Sequence, residues 1–200
     1  MDSFIGVRNE MWTILVVALT FGLSISDVDS ADCAKTCYYR HPQIVYCKAD
    51  VVAKVVIEKY VKEVPYGYDD PGYVIKVKEV SKGGSYAYSL TNLYTECGAT
   101  SYHPFYEGKI YLVMGQYKNG HLVLNSCDFS ISMSEINCYQ RKGIFKGDYE
   151  SNCQCADQID TADGKCSYEK ESLCYNSYAY CKYNDDGHCG WQQFWKFRDC

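Results

Sequence analysis

Beyond Leu23 the chain has no second apolar run long enough to cross a bilayer, and nowhere does it gather basic residues into a run. The first absence leaves a product expected to be soluble. The second, with a net charge of −5, offers nothing to steer a polyanion, which argues against nucleic acid or an anionic membrane as partner. A Gly-rich phosphate loop and a His-Glu-x-x-His pair are also missing. No Ser, Cys or Asp stands in a recognisable nucleophile motif with His41, His103, His121 or His188. Neither enzymatic activity nor a cofactor is therefore expected. Internal repeats and low-complexity tracts are absent too.

What is present begins with a leader. Met1 to Glu10 is polar and carries Arg8, and Met11 to Leu23 is an apolar run of signal-peptide length, too short to span a membrane. Small residues at Ser24-Ile25-Ser26 or Val28-Asp29-Ser30 supply cleavage sites. The expected signal is residues 1–26, or as far as residue 30, and the mature chain starts at Asp27 or Ala31.

All 13 cysteines follow, from Cys33 to Cys200. In an exported chain that number implies up to six disulfides and one odd thiol. The rival is zinc, which needs short paired spacings with histidine. Only Cys153-Gln154-Cys155 and His188-Cys189 come near, and neither forms a zinc-ligand pattern. The 21 tyrosines suit strands and half-wet surfaces, with hydroxylation or cross-linking in a matrix protein as the alternative.

Ile44 to Val64 is rich in Val, Ile and Tyr and closes at Pro65-Tyr66-Gly67, which predicts one or two long strands and a turn. Tyr73 to Val80 alternates, with Ile75 and Val77 on one face and Lys76 and Lys78 on the other. Gly83-Gly84 predicts a turn, and Tyr86, Tyr88 and Leu90 a further strand. Ile110 to Gln116 and His121 to Ser126 flank Asn119-Gly120, the dipeptide of a tight hairpin. Ser132 and Glu135 have capping-box spacing, predicting a short helix from about Glu135 to Lys142 closed by Gly143. About five strands in a meander and a late helix predict a mainly β fold, a small closed barrel of the OB type.

From Cys155 to Cys200 six cysteines fall in under fifty residues. So short a segment buries little apolar surface, so bridges must hold it. A boundary is expected at Cys153 to Cys155. Sequential pairing, Cys155–Cys166, Cys174–Cys181 and Cys189–Cys200, is the least entangled of the possible connectivities.

The run Thr36-Cys37-Tyr38-Tyr39-Arg40-His41-Pro42-Gln43-Ile44-Val45-Tyr46-Cys47, continuing to Asp50-Val51-Val52, resembles the start of the mature tissue inhibitors of metalloproteinases. In that family a Cys precedes a His-Pro-Gln motif, an aromatic-Cys pair and Asp-x-Val. Thr95-Glu96-Cys97-Gly98 looks like the family's second contact strand. Tyr111-Leu112, Gly120-His121-Leu122 and Cys127-Asp128-Phe129 resemble its hairpin and following Cys-x-Phe, and Arg141-Lys142-Gly143 with Cys153 continues the match. The tail matches only loosely, through Cys181 and His188-Cys189-Gly190-Trp191.

The resemblance implies a netrin-like, five-stranded OB-fold domain over residues 33–153 and a small cysteine-rich subdomain over 155–200. It implies bridges Cys37–Cys127 and Cys47–Cys153, with Cys97 joined to a cysteine at the N-terminal edge, here Cys33. It also implies an inhibitor of extracellular zinc metalloproteinases, whose ridge comprises Cys33, Lys35, Thr36, Cys37, Tyr38 and Tyr39 with Thr95, Glu96, Cys97 and Gly98. Thr36 stands where the family's side chain enters the main specificity pocket. Tyr38 and Tyr39 stand where the family has small or proline residues, so their rings either fill a subsite or obstruct entry.

Such inhibitors chelate the enzyme's zinc with the α-amino group and carbonyl of a first-position cysteine. Here that slot holds Lys35, and the nearest cysteine is Cys33. Cleavage after Asp32 does not fit the small-residue rule, so several residues precede Cys33 and no terminal amine reaches the zinc. The Lys35 amine would lose its proton at neutral pH only at a cost of about 4 to 5 kcal/mol. The alternative on the same fold is a non-inhibitory matrix module that binds matrix proteins and cross-links through Tyr and Cys. Cys138 has no counterpart in the family pattern and is the expected odd thiol, either buried and inert or exposed and linking two chains as a dimer. His41 is expected to pack or hydrogen-bond locally at a strand start rather than to bind metal.

Overall fold

A computed structural model describes residues 40–99, 104–159, 161, 164–167 and 173–193. The chain divides into the units Met1–Ala34 and Lys35–Cys200, and all described residues belong to the second.

The first element departs from expectation. Pro42 sits in a first turn, where no amide donor is needed, and His41 Nδ1 accepts from the Gln43 N–H at 3.1 Å. Pro42–Lys48 is therefore a helix, α1, and not the beginning of a strand. Lys82 closes its other end, with Nζ donating to Tyr46 O at 2.9 Å and Cys47 O at 2.8 Å.

Strand β1, Val51–Val61, then pairs antiparallel with both β2, Asp69–Lys82, and β4, Ile110–Lys118. β3, Asn92–Thr95, lies between β2 and β5, His121–Leu124, and runs parallel to β5. β5 returns to β4. The ring β1-β2-β3-β5-β4-β1 is a closed five-stranded barrel with OB-type order, and β6, Phe129–Ser132, adds outside it on β4. The order is not the simple meander expected, because β5 reaches past β4 to pair with β3. Register shifts at three places along β1–β2 give the bend that closure demands.

β1 and β4 are apolar on both faces because both faces are covered. Val51, Ala53, Val55 and Ile57 point into the barrel with Leu93, Leu122 and Leu124. Val52, Leu112 and Met114 pack outward against Tyr46, Ile144 and Tyr149. β2 alternates as expected, with Ile75 buried and Lys76 and Lys78 exposed. The hairpin turn is as expected too: Asn119 and Gly120 take φ of 51° and 84°.

Two further local expectations fail. Ser85–Ser89 is a 3-10 helix, since Ala87 and Leu90 are buried at a spacing of three while Tyr86 and Tyr88 face out. The late helix is α2, Cys138–Phe145, capped by Asn137 and not by Ser132. Asn137 Oδ1 accepts from the Tyr139 and Gln140 amides at 2.9 and 2.8 Å, and Gln140 Oε1 accepts in return from the Asn137 amide. Ser132 belongs to β6. Gly143 lies inside α2 against the Tyr149 ring, where a Cβ would sit 2.5 Å from Cε1, so it serves packing and does not end the helix.

The C-terminal elements are a 3-10 segment, Glu150–Gln158, a helix α3, Leu173–Tyr178, and the hairpin of β7, Ala179–Tyr183, with β8, Cys189–Gln193. Side chains of α1 and of the 3-10 segment satisfy the open edge of β7. Gln43 Oε1 accepts from the Cys181 amide and Gln43 Nε2 donates to Cys181 O, both at 2.8 Å, while Asn152 Oδ1 accepts from the Tyr183 amide at 2.9 Å. His41 Nε2 donates to the Tyr175 and Ala179 carbonyls at 3.0 and 3.2 Å. The His-Pro-Gln motif thus docks the tail.

Cys47 is bonded to Cys153. Among the described residues the tail holds the nested bridges Cys155–Cys189 and Cys166–Cys181, and Cys174 is disulfide-bonded as well; these replace the expected Cys155–Cys166, Cys174–Cys181 and Cys189–Cys200. The 3-10 segment and the β7–β8 hairpin fold onto α1 and bury Cys155, Cys166 and Cys181 with Ile44 and Ile159. Proximity in that small core, and not order along the chain, selects the partners.

Candidate functional site

The second expected contact segment is built by the end of β3. Thr95 is fully buried and pairs with Asp69 of β2 and Leu124 of β5. The ladder runs one residue further, as the Glu96 amide donates to Leu124 O at 2.9 Å. The chain then turns outward. Cys97 and Gly98 take consecutive left-handed conformations, φ 62° and 71°, which a glycine adopts at no steric cost and a cysteine only when held. The holding groups are in view. The Ala99 amide donates to Glu96 O and to Asp69 Oδ2, each at 3.1 Å, and Cys97 is disulfide-bonded. A Cβ on Gly98 would meet nothing within 4 Å, so the tip of the turn is open.

Beside it lies the turn from Asn125 to Asp128, which presents a second half-cystine, Cys127. Asn125 Oδ1 accepts from the Cys127 amide at 2.8 Å, the Asp128 amide donates to Asn125 O, and Asp128 Oδ2 accepts from the Asn125 amide at 2.8 Å. Burial pushes the Asp128 carboxyl up to about 6; the Asn125 amide, Lys118 and Arg40 pull it down, and Glu96 pushes it up. Lys118 itself pairs with Glu96 at 2.6 Å. Two half-cystines and a small charged cluster therefore meet where β3, β5 and the start of β6 come together.

Glu96, Cys97 and Gly98 form one outward corner, while Thr95, expected as a contact residue, is fully buried at its base. Cys33, Lys35, Thr36, Cys37, Tyr38 and Tyr39 lie outside the described residues, as do His103 and Cys200. So do the proposed bridges Cys33–Cys97 and Cys37–Cys127. Asp69, Asn125 and Asp128 were missed as supports of the corner. The spacing Asn125-Ser126-Cys127-Asp128 carried a readable turn signal, whereas Asp69 is near in space only through the β2–β3 register.

His41 is buried, and burial drives its ring down to about 4 against the pull of the Tyr175 and Ala179 carbonyls. With Nδ1 accepting and Nε2 donating, it is a neutral structural residue, capping a helix where a strand start was expected. His188 is exposed in the β7–β8 turn, and Cys138 is a free, exposed thiol at the first position of α2. The sulfurs of Cys155, Cys181 and Cys189 lie within 4.8 Å of one another, but all three are in disulfides and offer no thiolate to a metal.

The family model described as tissue inhibitor of metalloproteinase matches residues 31–193. The chain is similar to Metalloproteinase inhibitor 3 of Scyliorhinus torazame, 29% identical over 150 residues covering 72% of this chain and 67% of that protein. It is likewise similar to the proteins of that name from Gallus gallus, 27% identical over 151 residues, 72% and 68% of the two chains, and Xenopus laevis, 28% over 142 residues, 68% and 64%. The alignments span about two thirds of each relative's length. The match runs from before the described barrel to the end of β8, over a closed barrel that carries a half-cystine corner; the chain belongs to the tissue inhibitor of metalloproteinase family.

Proposed function

We propose that this chain is a secreted inhibitor of extracellular zinc metalloendopeptidases, which sets a disulfide-clamped ridge of residues 33–39 and 95–98 into the protease cleft. The observation that supports it most is the Cys97-Gly98 corner: two left-handed residues tied to Asp69 and to a disulfide, open at the tip. A corner ordered before binding spares the entropy of fixing a loop during association. Disulfides among the described residues accord with an oxidising, extracellular setting. In this reading residues 1–26 are the signal, 33–153 the inhibitory domain and 155–200 a subdomain that braces α1.

A fluorogenic-peptide assay of a matrix metalloproteinase tests this directly. The purified protein at micromolar concentration slows the enzyme, and Cys97→Ser weakens the inhibition at least tenfold. No slowing leaves the alternative, a non-inhibitory matrix module, which the Lys35 in the family's first-cysteine slot favours. N-terminal sequencing of the secreted protein separates the two routes to zinc: a chain beginning at Cys33 restores an α-amine for chelation.

A further inference from the structure

Among the described aromatic pairs the closest is Tyr86 with Tyr117, ring centroids 4.5 Å apart and planes tilted by 43°. It is also the pair in which two tyrosines are both exposed, at 37% and 42%. Tyr60–Tyr73 joins an exposed ring to a buried one, and Tyr68–Tyr94 has one buried member. The Tyr86–Tyr117 contact is built and not incidental. Tyr86 lies in the 3-10 helix, with its ring over Gly84, where an added Cβ would fall 2.8 Å from its Cε1. Tyr117 is near the end of β4, its backbone N–H donating a hydrogen bond to Asp50 Oδ2 at 3.1 Å. The two rings thus belong to separate elements, are held at contact distance, and are both exposed at the surface.

We propose that Tyr86 and Tyr117 form an intramolecular dityrosine site, taking as co-reactant hydrogen peroxide with an extracellular haem peroxidase. Each phenol loses one electron and one proton to the peroxidase, giving two phenoxyl radicals. The radicals join by a carbon–carbon bond between positions ortho to the oxygens, and the two displaced ring hydrogens move to the oxygens, restoring both phenols. Peroxide is reduced to two waters, and the protein loses two hydrogen atoms. The bond fastens the 3-10 helix to β4 without a cysteine. Effective concentration favours this pair, because partners already in contact react without the cost of bringing two chains together. The site is independent of whether the chain inhibits a protease.

The test treats the purified full-length protein with horseradish peroxidase and limiting peroxide, then reads dityrosine fluorescence in the monomer fraction and maps cross-linked peptides by mass spectrometry. A Tyr86–Tyr117 cross-link dominates in the wild type, and Tyr86→Phe and Tyr117→Phe each lower monomer fluorescence at least fivefold. Both variants lose only an exposed hydroxyl, and circular dichroism confirms that they fold. Gly84→Ala keeps both phenols but displaces the Tyr86 ring, lowering the yield several-fold. Unchanged fluorescence in both Phe variants, dityrosine confined to dimers, or cross-links mapping to other tyrosines would overturn the proposal.

Discussion

His41, buried, and Asp128, partly buried, are titratable side chains shifted in opposite senses, and their effects on stability oppose each other. Asp128 ordinarily titrates at 3.8 but is pushed up to about 6 in the fold, so the folded chain takes up its proton first. Its contribution is greatest at low pH and is lost as pH rises from about 4 to 6. His41 is driven from 6.5 to about 4, so its contribution is present above 6.5 and is lost as pH falls through that window. Each shift corresponds to about 3 kcal/mol, so the two nearly cancel between pH 4 and 6.5. Asp128→Asn keeps an acceptor for the Asn125 amide and removes one side of the balance. Urea unfolding should show this variant gaining stability over the wild type as pH rises, from near zero at pH 4 to about 2 to 3 kcal/mol at pH 7. A gain that does not change with pH would contradict the assignment. Gln43 acts at the same scale, as one side-chain amide takes the place of a neighbouring strand for β7. Gln43→Leu strands the Cys181 amide and carbonyl, and a loss of about 2 to 4 kcal/mol is expected in the same measurement.

Among the elements, β4 and α2 each depend on a glycine for closeness and not for backbone freedom. A Cβ on Gly115 would lie 2.6 Å from Val123 O, a backbone atom that cannot swing aside without opening the β4–β5 pairing. Gly143 faces the Tyr149 ring, which is itself packed in the layer beneath α2. Gly115→Ala should cost about 3 kcal/mol and Gly143→Ala about 2, since helix propensity returns part of the strain in α2. Thermal melts that leave both variants at the wild-type midpoint would show that the neighbours yield. The same elements explain where local reading went astray. The apolar run Ile44-Val45-Tyr46 has the same composition as a strand, and Pro42 with the His41 cap decides for helix. Tyr86, Tyr88 and Leu90 alternate like a strand, but the buried pair is Ala87 and Leu90, a 3-10 spacing.

At the scale of the whole molecule, the three bridges with both ends among the described residues divide the work unequally. Cys47–Cys153 closes a sequence separation of 106, against 34 for Cys155–Cys189 and 15 for Cys166–Cys181. On loop entropy its removal should cost about 4 to 5 kcal/mol, the most of the three. The double variant Cys47→Ser with Cys153→Ser should therefore melt below either tail double variant in calorimetry. Cys138, free and exposed, is where we propose that two chains join. A non-reducing gel of the secreted protein should show a dimer band that Cys138→Ser abolishes; an unchanged band would place the link elsewhere.

By itself the sequence determined the class of molecule: a cysteine-rich, mainly β chain whose motifs carry a family likeness, with the Asn119-Gly120 hairpin and the β2 alternation read at their true positions. These rest on local chemistry, on turn residues that accept positive φ and on side chains that alternate with the pleat. Tertiary structure alone decided the rest. The nested tail bridges, the parallel β3–β5 pairing, the docking of β7 on Gln43 and the bond from the Ala99 amide to Asp69 behind the Cys97 corner all join residues far apart in the chain. Such contacts are selected by which surfaces bury one another, and no window of neighbouring residues contains that choice.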